Sequence, residues 1–187
     1  MSRRLTLERT PIEGVVVVRR QPIGDARGSL ERLYCRDELA EVLGAAVVAQ
    51  ANITWTARAG TLRGMHYQLA PHAEDKVVTC IGGRVWDVAV DLRPGSPTFL
   101  RWHAETLAGD GHSSLLIPKG CAHGFQALED DCRMLYLHTA PYAADAERGL
   151  DALDPRLGIA WPHAVTCRSD RDASHPPITA SFAGVTP

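Results

Sequence analysis

Residues 76–92, KVVTCIGGRVWDVAVDL, contain the strongest β-strand signal in the chain. Two runs rich in β-branched residues, 76–81 and 84–92, flank the pair Gly82-Gly83. Such runs favour strands, and glycine supplies the positive φ angles that a tight two-residue turn requires. The stretch therefore predicts a β-hairpin.

Similar runs continue along the chain, with turn-forming residues between them. They predict strands over residues 15–18, 60–69, 101–107, 113–117, 123–128 and 133–139. The clean helical pattern of the first half is DELAEVL, residues 37–43, which Gly44 ends. The tail beyond Tyr142, rich in Pro, Ala and Asp, is expected to wrap the strands, with a short helical turn at 151–153. Many short strands at regular spacing indicate an all-β, antiparallel barrel or sandwich with few helices.

The length of 187 residues fits a single domain, residues 1–187, because no stretch is long and polar enough to link two. Charges nearly balance, with 20 Lys+Arg against 22 Asp+Glu, so neither nucleic acid nor a membrane is expected as a partner. The first arginines precede no apolar segment of signal-peptide length, which predicts a cytoplasmic protein. Five cysteines without a C-x-x-C pair predict reduced thiols rather than a disulfide framework or a structural zinc.

Three common signatures of enzymes are absent from the sequence. These are the dinucleotide-binding G-x-G-x-x-G, the P-loop G-x-x-x-x-G-K-[ST] and the nucleophile elbow G-x-S-x-G. The sequence therefore does not support dinucleotide redox chemistry, P-loop phosphoryl transfer or serine hydrolysis.

Polar side chains interrupt the predicted strand at residues 60–69. Strand alternation places Gly64, His66 and Gln68 on one face, so an inward His66 would lie in a cavity with Gln68. Arg63 can join them only if Gly64 marks a β-bulge that breaks the alternation. The competing interpretation of this segment alone is a hydrogen-bonded core histidine.

Residues 118–123, PKGCAH, fit the P-x-G-x-x-H pattern of the second cupin motif, in which His123 enters a barrel after a tight turn. Metal cupins add two histidines as H-x-H, but here Tyr67 and Gln68 follow His66. A metal site is therefore hard to assemble, although His72 and Glu74 are possible loop ligands. A metal-dependent cupin oxygenase or isomerase stays open as an alternative.

Motifs of one family occur in order over nearly the whole chain: GDARG (24–28), QAN (50–52), LRGMHYQ (62–68), Lys76, WDVAVDLRPGSPTF (86–99), IPKGCAHGF (117–125), Tyr136, Tyr142, AERG (146–149), DPRLGIAWP (154–162) and SDRD (169–172). Together they resemble the dTDP-4-dehydrorhamnose 3,5-epimerases and their relatives in deoxysugar biosynthesis. The resemblance implies a cupin-like antiparallel β-barrel or jelly roll with a few short peripheral helices. It also implies a homodimer and a nucleotide-sugar substrate.

The resemblance assigns roles to particular residues. It makes His66 the general base, Asp172 the carboxylate that orients it, Tyr136 the general acid, and Lys76 and His123 neighbours of the substrate carbonyl and sugar. It places seven further residues around the sugar nucleotide: Arg27, Gln50, Asn52, Arg63, Tyr142, Glu147 and Arg171. Arg171 stands where lysine is more usual, and the two cations differ in hydrogen-bond geometry.

These residue types fit proton transfer next to a ketone. Such a C–H becomes acidic when a cation such as Lys76 stabilises the enolate oxygen. An imidazole, with an ordinary pKa of about 6.5, can take the proton at neutral pH, and a phenol across the sugar ring can return one to the opposite face. This chemistry requires no nicotinamide, flavin or metal, so no cofactor is expected.

Three positions depart from the family pattern. Ser29 replaces a phenylalanine, Arg32 replaces a glutamate and Ala51 replaces an acidic residue, so the bound nucleotide or sugar can differ from the parent substrate. These changes leave open a non-catalytic sugar-nucleotide-binding barrel, and whether C3, C5 or both are epimerised.

Overall fold

The computed structural model describes residues 3–187 and consists mainly of short strands. In chain order the elements are β1 (Leu5–Arg9), β2 (Val16–Arg20), β3 (Ile23–Asp25), β4 (Gly28–Leu30), α1 (Arg36–Leu43), β5 (Gln50–Thr56), β6 (Leu62–Gln68), β7 (Lys76–Gly82), β8 (Arg84–Asp91), β9 (Trp102–Ala108), β10 (Ser113–Ile117), β11 (Cys121–Ala127), β12 (Cys132–His138), β13 (Glu147–Gly149) and α2 (Asp170–Ala173). No helix among these residues is long and apolar enough to cross a membrane.

Eleven of the strands form two antiparallel sheets. One has six strands in the order β1-β2-β10-β7-β12-β5, and the other has five in the order β13-β6-β11-β8-β9. Strands β3 and β4 pair only with each other. The all-β, cupin-like architecture is confirmed, although the sequence did not predict β1, β3, β4, β5 or β13.

The predicted hairpin around Gly82-Gly83 is wrong in its pairing. Strand β7 pairs with β10 and β12, whereas β8 pairs with β9 and β11 in the other sheet. Gly83 has φ +71°, and a Cβ there would lie 2.8 Å from Cys132 Sγ. The glycine pair therefore makes a crowded corner between the sheets, because the apolar residues of both strands are buried better by two facing layers than by one ribbon.

Three apolar clusters hold the layers together. The central cluster fills the space between the sheets and includes Val78, Leu115 and Phe125. A second cluster buries Leu39 and Leu43 of α1 against the outer face of the six-stranded sheet. Helix α1 confirms the predicted pattern, and Gly44 ends it with φ +58° and an N–H that donates to the Ala40 carbonyl.

The C-terminal tail covers the outer face of the five-stranded sheet, as predicted. Its residues Leu150, Leu157 and Ile178 belong to the third cluster, together with Val88 and Val90 of β8. The helical turn expected at 151–153 is wrong, because the tail's helix is α2, further along the chain. Ser169 caps α2 by accepting a hydrogen bond from Asp172 N at 3.1 Å, and the Asp172 side chain contacts Gly64 and His66 of β6.

Candidate active site

A cavity of about 390 Å³ opens between the two sheets. The six-stranded sheet contributes Lys76 from β7 and Tyr136 from β12, and the five-stranded sheet contributes His66 from β6 and His123 from β11. Asp172 enters from α2 in the tail. The cavity therefore brings together side chains from distant parts of the chain; His66 and Asp172, for example, are 106 residues apart.

A bulge in β6 turns Arg63 into this cavity. The register pairs His123 with His66 but Phe125 with Arg63, so the two residues of β6 between these pairs, Gly64 and Met65, face the single residue Gly124 of β11. Gly64 has φ +109°, and a Cβ there would lie 2.6 Å from a backbone carbon of β11, so the bulge needs glycine. Arg63 and His66 both line the cavity as a result. The β-bulge that the sequence analysis required at Gly64 is therefore present.

His66 and Asp172 form a hydrogen-bonded pair at the cavity wall. His66 Nε2 lies 2.8 Å from Asp172 Oδ1, and Gly64 N donates to Asp172 Oδ2 at 3.0 Å. Burial alone would raise the pKa of Asp172, but the hydrogen bonds from His66 and Gly64 outweigh it and lower that pKa to about 2. Asp172 is therefore ionised at neutral pH, and Nδ1 is the His66 nitrogen left for a ligand.

His123 and Asp87 form a second pair on neighbouring strands. His123 Nε2 lies 2.8 Å from Asp87 Oδ1, and the side chains are 7% and 0% exposed. Within residues 3–187 Asp87 Oδ2 has no hydrogen-bond partner. Burial raises the pKa of Asp87, and the nearby His123 offsets this only partly.

Tyr136 is half-buried and lies against two histidine rings. His123 meets it edge-on with ring centroids 5.9 Å apart, and His138 stacks on it at 6.0 Å. The Tyr136 hydroxyl lies 3.4 Å from Thr54 Oγ1. Burial strongly raises the Tyr136 pKa, so the phenol keeps its proton at neutral pH.

Lys76 is held by a buried acidic neighbour. Its Nζ lies 3.2 Å from Glu74 Oε1 and donates to the His66 carbonyl at 3.4 Å. Glu74 Oε2 lies 3.0 Å from His138 Nδ1. Burial raises the pKa of Glu74, but His138 and Lys76 outweigh it and lower that pKa. The ammonium is therefore fixed beside the strand that holds His66.

Glu147 organises the rim of the cavity. It accepts a hydrogen bond from the Tyr142 hydroxyl at 2.7 Å and pairs with Arg171 Nη2 at 2.5 Å. Burial would raise its pKa, yet the bonds from Tyr142 and Arg171 lower it. Gln50 accepts from Tyr142 N at 2.9 Å and donates to Asn52 at 3.2 Å.

Ten of the twelve residues predicted for the site line the cavity: His66, Tyr136, Asp172, Lys76, Asn52, Arg63, His123, Tyr142, Glu147 and Arg171. Gln50 touches this set through Tyr142 and Asn52 without lining the cavity. Arg27 lies apart, on the β3–β4 hairpin, where its 90% exposed side chain pairs with Asp25 at 2.5 Å.

Arg32, which departs from the family pattern, has a structural partner in this chain. It pairs with Glu38 of α1, whose carboxylate also accepts the Arg4 and Leu5 N–H groups at 2.7 and 2.8 Å. The arginine therefore ties the segment after β4 to α1 and β1. Ser29, another departure from the family pattern, lies exposed on the β3–β4 hairpin.

Sequence reasoning missed some of the lining. His138 and Thr54 line the cavity, and each lies two residues from a predicted site residue on the same strand, so strand alternation could have found them. Glu74 was considered only as a metal ligand. His175 was not predicted, although its ligand atom, with those of His66 and Asp172, lies in a group within 4.8 Å of one another.

Comparisons with known proteins agree on one family. The family model described as dTDP-4-dehydrorhamnose 3,5-epimerase matches residues 9–180. The dTDP-4-dehydrorhamnose 3,5-epimerase of Sinorhizobium fredii is 38% identical over 168 residues, 89% of this chain and 86% of that protein. The dTDP-4-dehydrorhamnose 3-epimerase of Streptomyces niveus is 38% identical over 162 residues, 86% of this chain and 78% of that protein.

A solved structure gives the same result for the fold. The dTDP-6-deoxy-D-glucose-3,5-epimerase of Legionella pneumophila, in complex with dTDP-4-keto-L-rhamnose, superposes with a TM-score of 0.89. It is 32% identical, and the match covers 98% of this chain and 99% of that one. Sequence and fold therefore point to the same group of proteins.

Proposed function

This chain belongs to the dTDP-4-dehydrorhamnose 3,5-epimerase family, and from that premise we propose how its cavity epimerises a dTDP-linked 4-keto-6-deoxy sugar. The observation that supports the proposal is the set of groups around one cavity: a His–Asp pair, an ammonium and a half-buried phenol. A ketone at C4 acidifies the C–H bonds at C3 and C5, so these are the carbons where protons are exchanged.

His66 removes the proton. Its Nε2 faces Asp172, so Nδ1 accepts the proton from the carbon next to the ketone. Asp172 stays ionised because its pKa is about 2, and its charge stabilises the imidazolium that forms. The Gly64 N–H on Oδ2 holds the carboxylate in this orientation.

Lys76 stabilises the enolate. Its ammonium is fixed by Glu74 and the His66 carbonyl, so it faces developing negative charge without having to reorganise. His123 lies directly across from His66 in the β6–β11 register and adds a polar group for the sugar oxygens.

Tyr136 returns a proton to the opposite face of the ring. It projects from the six-stranded sheet, whereas His66 projects from the five-stranded sheet, so a sugar between the sheets has one group on each side. The raised pKa of Tyr136 keeps the phenol protonated until the carbanion forms. Inversion then follows from removal on one face and return on the other.

A homodimer and a cytoplasmic setting are part of this proposal. Ile23 and Leu30 are exposed on the β3–β4 hairpin, and a partner chain there would cover them and give Arg27 a route to a cavity. All five cysteines, which fall within the described residues, are free thiols, in keeping with a reducing compartment. Light scattering after size exclusion tests the dimer.

The experiment is incubation of dTDP-4-keto-6-deoxyglucose with the protein in heavy water, followed by mass spectrometry and NMR. Uptake of two deuterons identifies a 3,5-epimerase, and uptake of one identifies a single-carbon epimerase whose position NMR assigns. Binding of the sugar nucleotide by calorimetry without deuterium uptake would contradict the proposal and leave a non-catalytic binding barrel.

A further inference from the structure

We propose that His66, Asp172 and His175 bind a divalent transition-metal ion such as Zn²⁺, and that the bound ion reversibly inhibits the epimerase. One ligand atom of each residue lies within 4.8 Å of the other two. The ligand atoms of a tetrahedral zinc site lie about 3.4 Å apart, so small side-chain rotations close the remaining gap. The inhibition, unlike the binding, rests on the proposed role of His66.

The tail holds two of the three ligands in place. Asp172 lies in α2 and His175 follows two residues after the helix ends, and Ser169 caps that helix through Asp172 N. Arg168 Nη2 donates to the Asp172 carbonyl at 2.7 Å, which fixes the turn from its other side. Two ligands from one short segment and a third from a strand are a common way to build a zinc site.

His175 has an imidazole nitrogen without a use in the fold. Its Nε2 is buried and has no hydrogen-bond partner in the described part of the chain. The ring packs against Gly149, where a Cβ would lie 2.1 Å from Nε2, and its centroid lies 6.1 Å from that of His66. Gly149 therefore leaves the space in which this histidine ring lies beside His66.

Each arginine beside the cluster has a carboxylate partner of its own. Arg171 is paired with Glu147 at 2.5 Å, and Arg168 with Asp151 at 2.6 Å. Two imidazoles and one carboxylate leave a fourth position open, as in zinc sites that bind water or substrate.

The bound ion blocks proton transfer whichever His66 nitrogen it uses. On Nδ1 it occupies the lone pair that accepts the substrate proton, and on Nε2 it displaces the hydrogen bond to Asp172. This site shares His66 with the metal cupin alternative, but two candidate ligands of that alternative are engaged elsewhere. His123 is bonded to Asp87, and Glu74 to Lys76 and His138.

The test uses tag-free protein freed of metal with a chelator. Zn²⁺ is titrated by calorimetry without substrate, Co²⁺ is titrated by visible absorption, and deuterium exchange is measured with and without Zn²⁺. We expect one ion per chain, loss of exchange on binding and recovery with excess chelator. His175→Ala should weaken Zn²⁺ binding about tenfold or more, because a lost ligand costs at least as much as a lost outer-shell partner.

Two further variants sharpen the result. His175→Gln keeps most of the side-chain volume, so it replaces His175→Ala if that protein fails to fold, and it should weaken binding similarly. His72→Ala removes an exposed histidine outside the cluster and should leave Zn²⁺ affinity unchanged. Both His175 variants should keep their metal-free exchange rate.

Equal Zn²⁺ affinity in wild type and both His175 variants would overturn the metal site. Binding that leaves exchange unchanged, or that raises it, would overturn the inhibition. Calorimetry without substrate reports on the metal alone, so failure of this site is distinguishable from failure of the proposed epimerase chemistry.

Discussion

Two His–Asp pairs lie side by side in this protein. They have the same His–Asp distance but differ in exposure and in the surroundings of the carboxylate. His66–Asp172 and His123–Asp87 are both joined at 2.8 Å, and the two histidines are directly opposite each other in the β6–β11 register. The His66 side chain is 30% exposed, whereas that of His123 is 7% exposed.

The surroundings of each carboxylate give the pairs different chemistry. Asp172 accepts a backbone N–H on its second oxygen and has a pKa of about 2, whereas burial raises the pKa of Asp87 and its second oxygen has no partner among residues 3–187. A fixed negative charge beside an accessible imidazole suits a base. The enclosed pair suits a polar wall that holds the sugar. Solvation and the second carboxylate oxygen therefore distinguish the two pairs, not the His–Asp distance.

The largest expected contrast comes from removing each carboxylate charge in turn. Asp172→Asn should lower kcat for epimerisation by about 10²- to 10⁴-fold, because the amide holds the wrong imidazole tautomer and cannot stabilise the imidazolium. Asp87→Asn should lower kcat at least tenfold less. Steady-state rates on the same substrate measure both, and equal losses would remove the distinction between the pairs.

Tyr136→Phe should separate proton removal from inversion. Without the phenol, the rate of product formation should fall about 10²-fold, while deuterium exchange through His66 continues. NMR of the recovered sugar nucleotide measures both quantities. Thr54→Val, which removes only the hydroxyl beside Tyr136, is the matched control and should have a smaller effect. Equal loss of exchange and inversion in Tyr136→Phe would contradict separate roles.

Acid should weaken the fold through Asp172 and not through Asp87. The Asp172 pKa is about 2 in the fold against an ordinary 3.8, so its stabilising effect is complete above pH 4 and is lost as the pH falls towards 2. The loss should amount to about 2 kcal/mol in the free energy of unfolding. Asp172→Asn should lack this part of the pH dependence.

Denaturant titrations from pH 5 to pH 2 measure that effect. The raised pKa of Asp87 has the opposite sign, because the folded state then binds its proton more tightly than the unfolded chain does. Asp87→Asn should therefore keep the acid sensitivity that depends on Asp172. If the free energy of unfolding falls with pH in parallel for wild type and Asp172→Asn, then Asp172 does not contribute to the acid sensitivity.

The smallest expected effect lies at the rim, where Arg171 replaces the more usual lysine. Arg171→Lys should raise KM at most about fivefold with little change in kcat, because a half-exposed pair with Glu147 is worth about 1 kcal/mol or less. Substrate titrations of the rate measure it. A large fall in kcat would instead place Arg171 beside the reacting atoms.

Local sequence patterns predicted only part of this site, and the family resemblance supplied most of its residues. Strand alternation put His66 on one face of its strand with Gln68, and the condition attached to Gly64 was met by a bulge that brings Arg63 into the cavity. His138 was within reach of the same reasoning, since it follows Tyr136 by two residues.

What local patterns could not predict depends on contacts between distant segments. Long-range pairing puts β7 in one sheet and β8 in the other, so the prediction of a hairpin at Gly82-Gly83 was wrong. The positions of the site residues from the tail also depend on contacts between distant segments. Asp172 was assigned from family resemblance alone, and His175 gave no signal because its neighbour Gly149 lies on another element.

The most direct test compares deuterium uptake from heavy water by wild type, His66→Ala and His123→Ala. If the accessible pair supplies the base, His66→Ala should lose about 10³-fold or more in exchange rate, and His123→Ala at least tenfold less. Exchange that survives in His66→Ala and disappears in His123→Ala would contradict the account, and would assign proton removal to the buried pair.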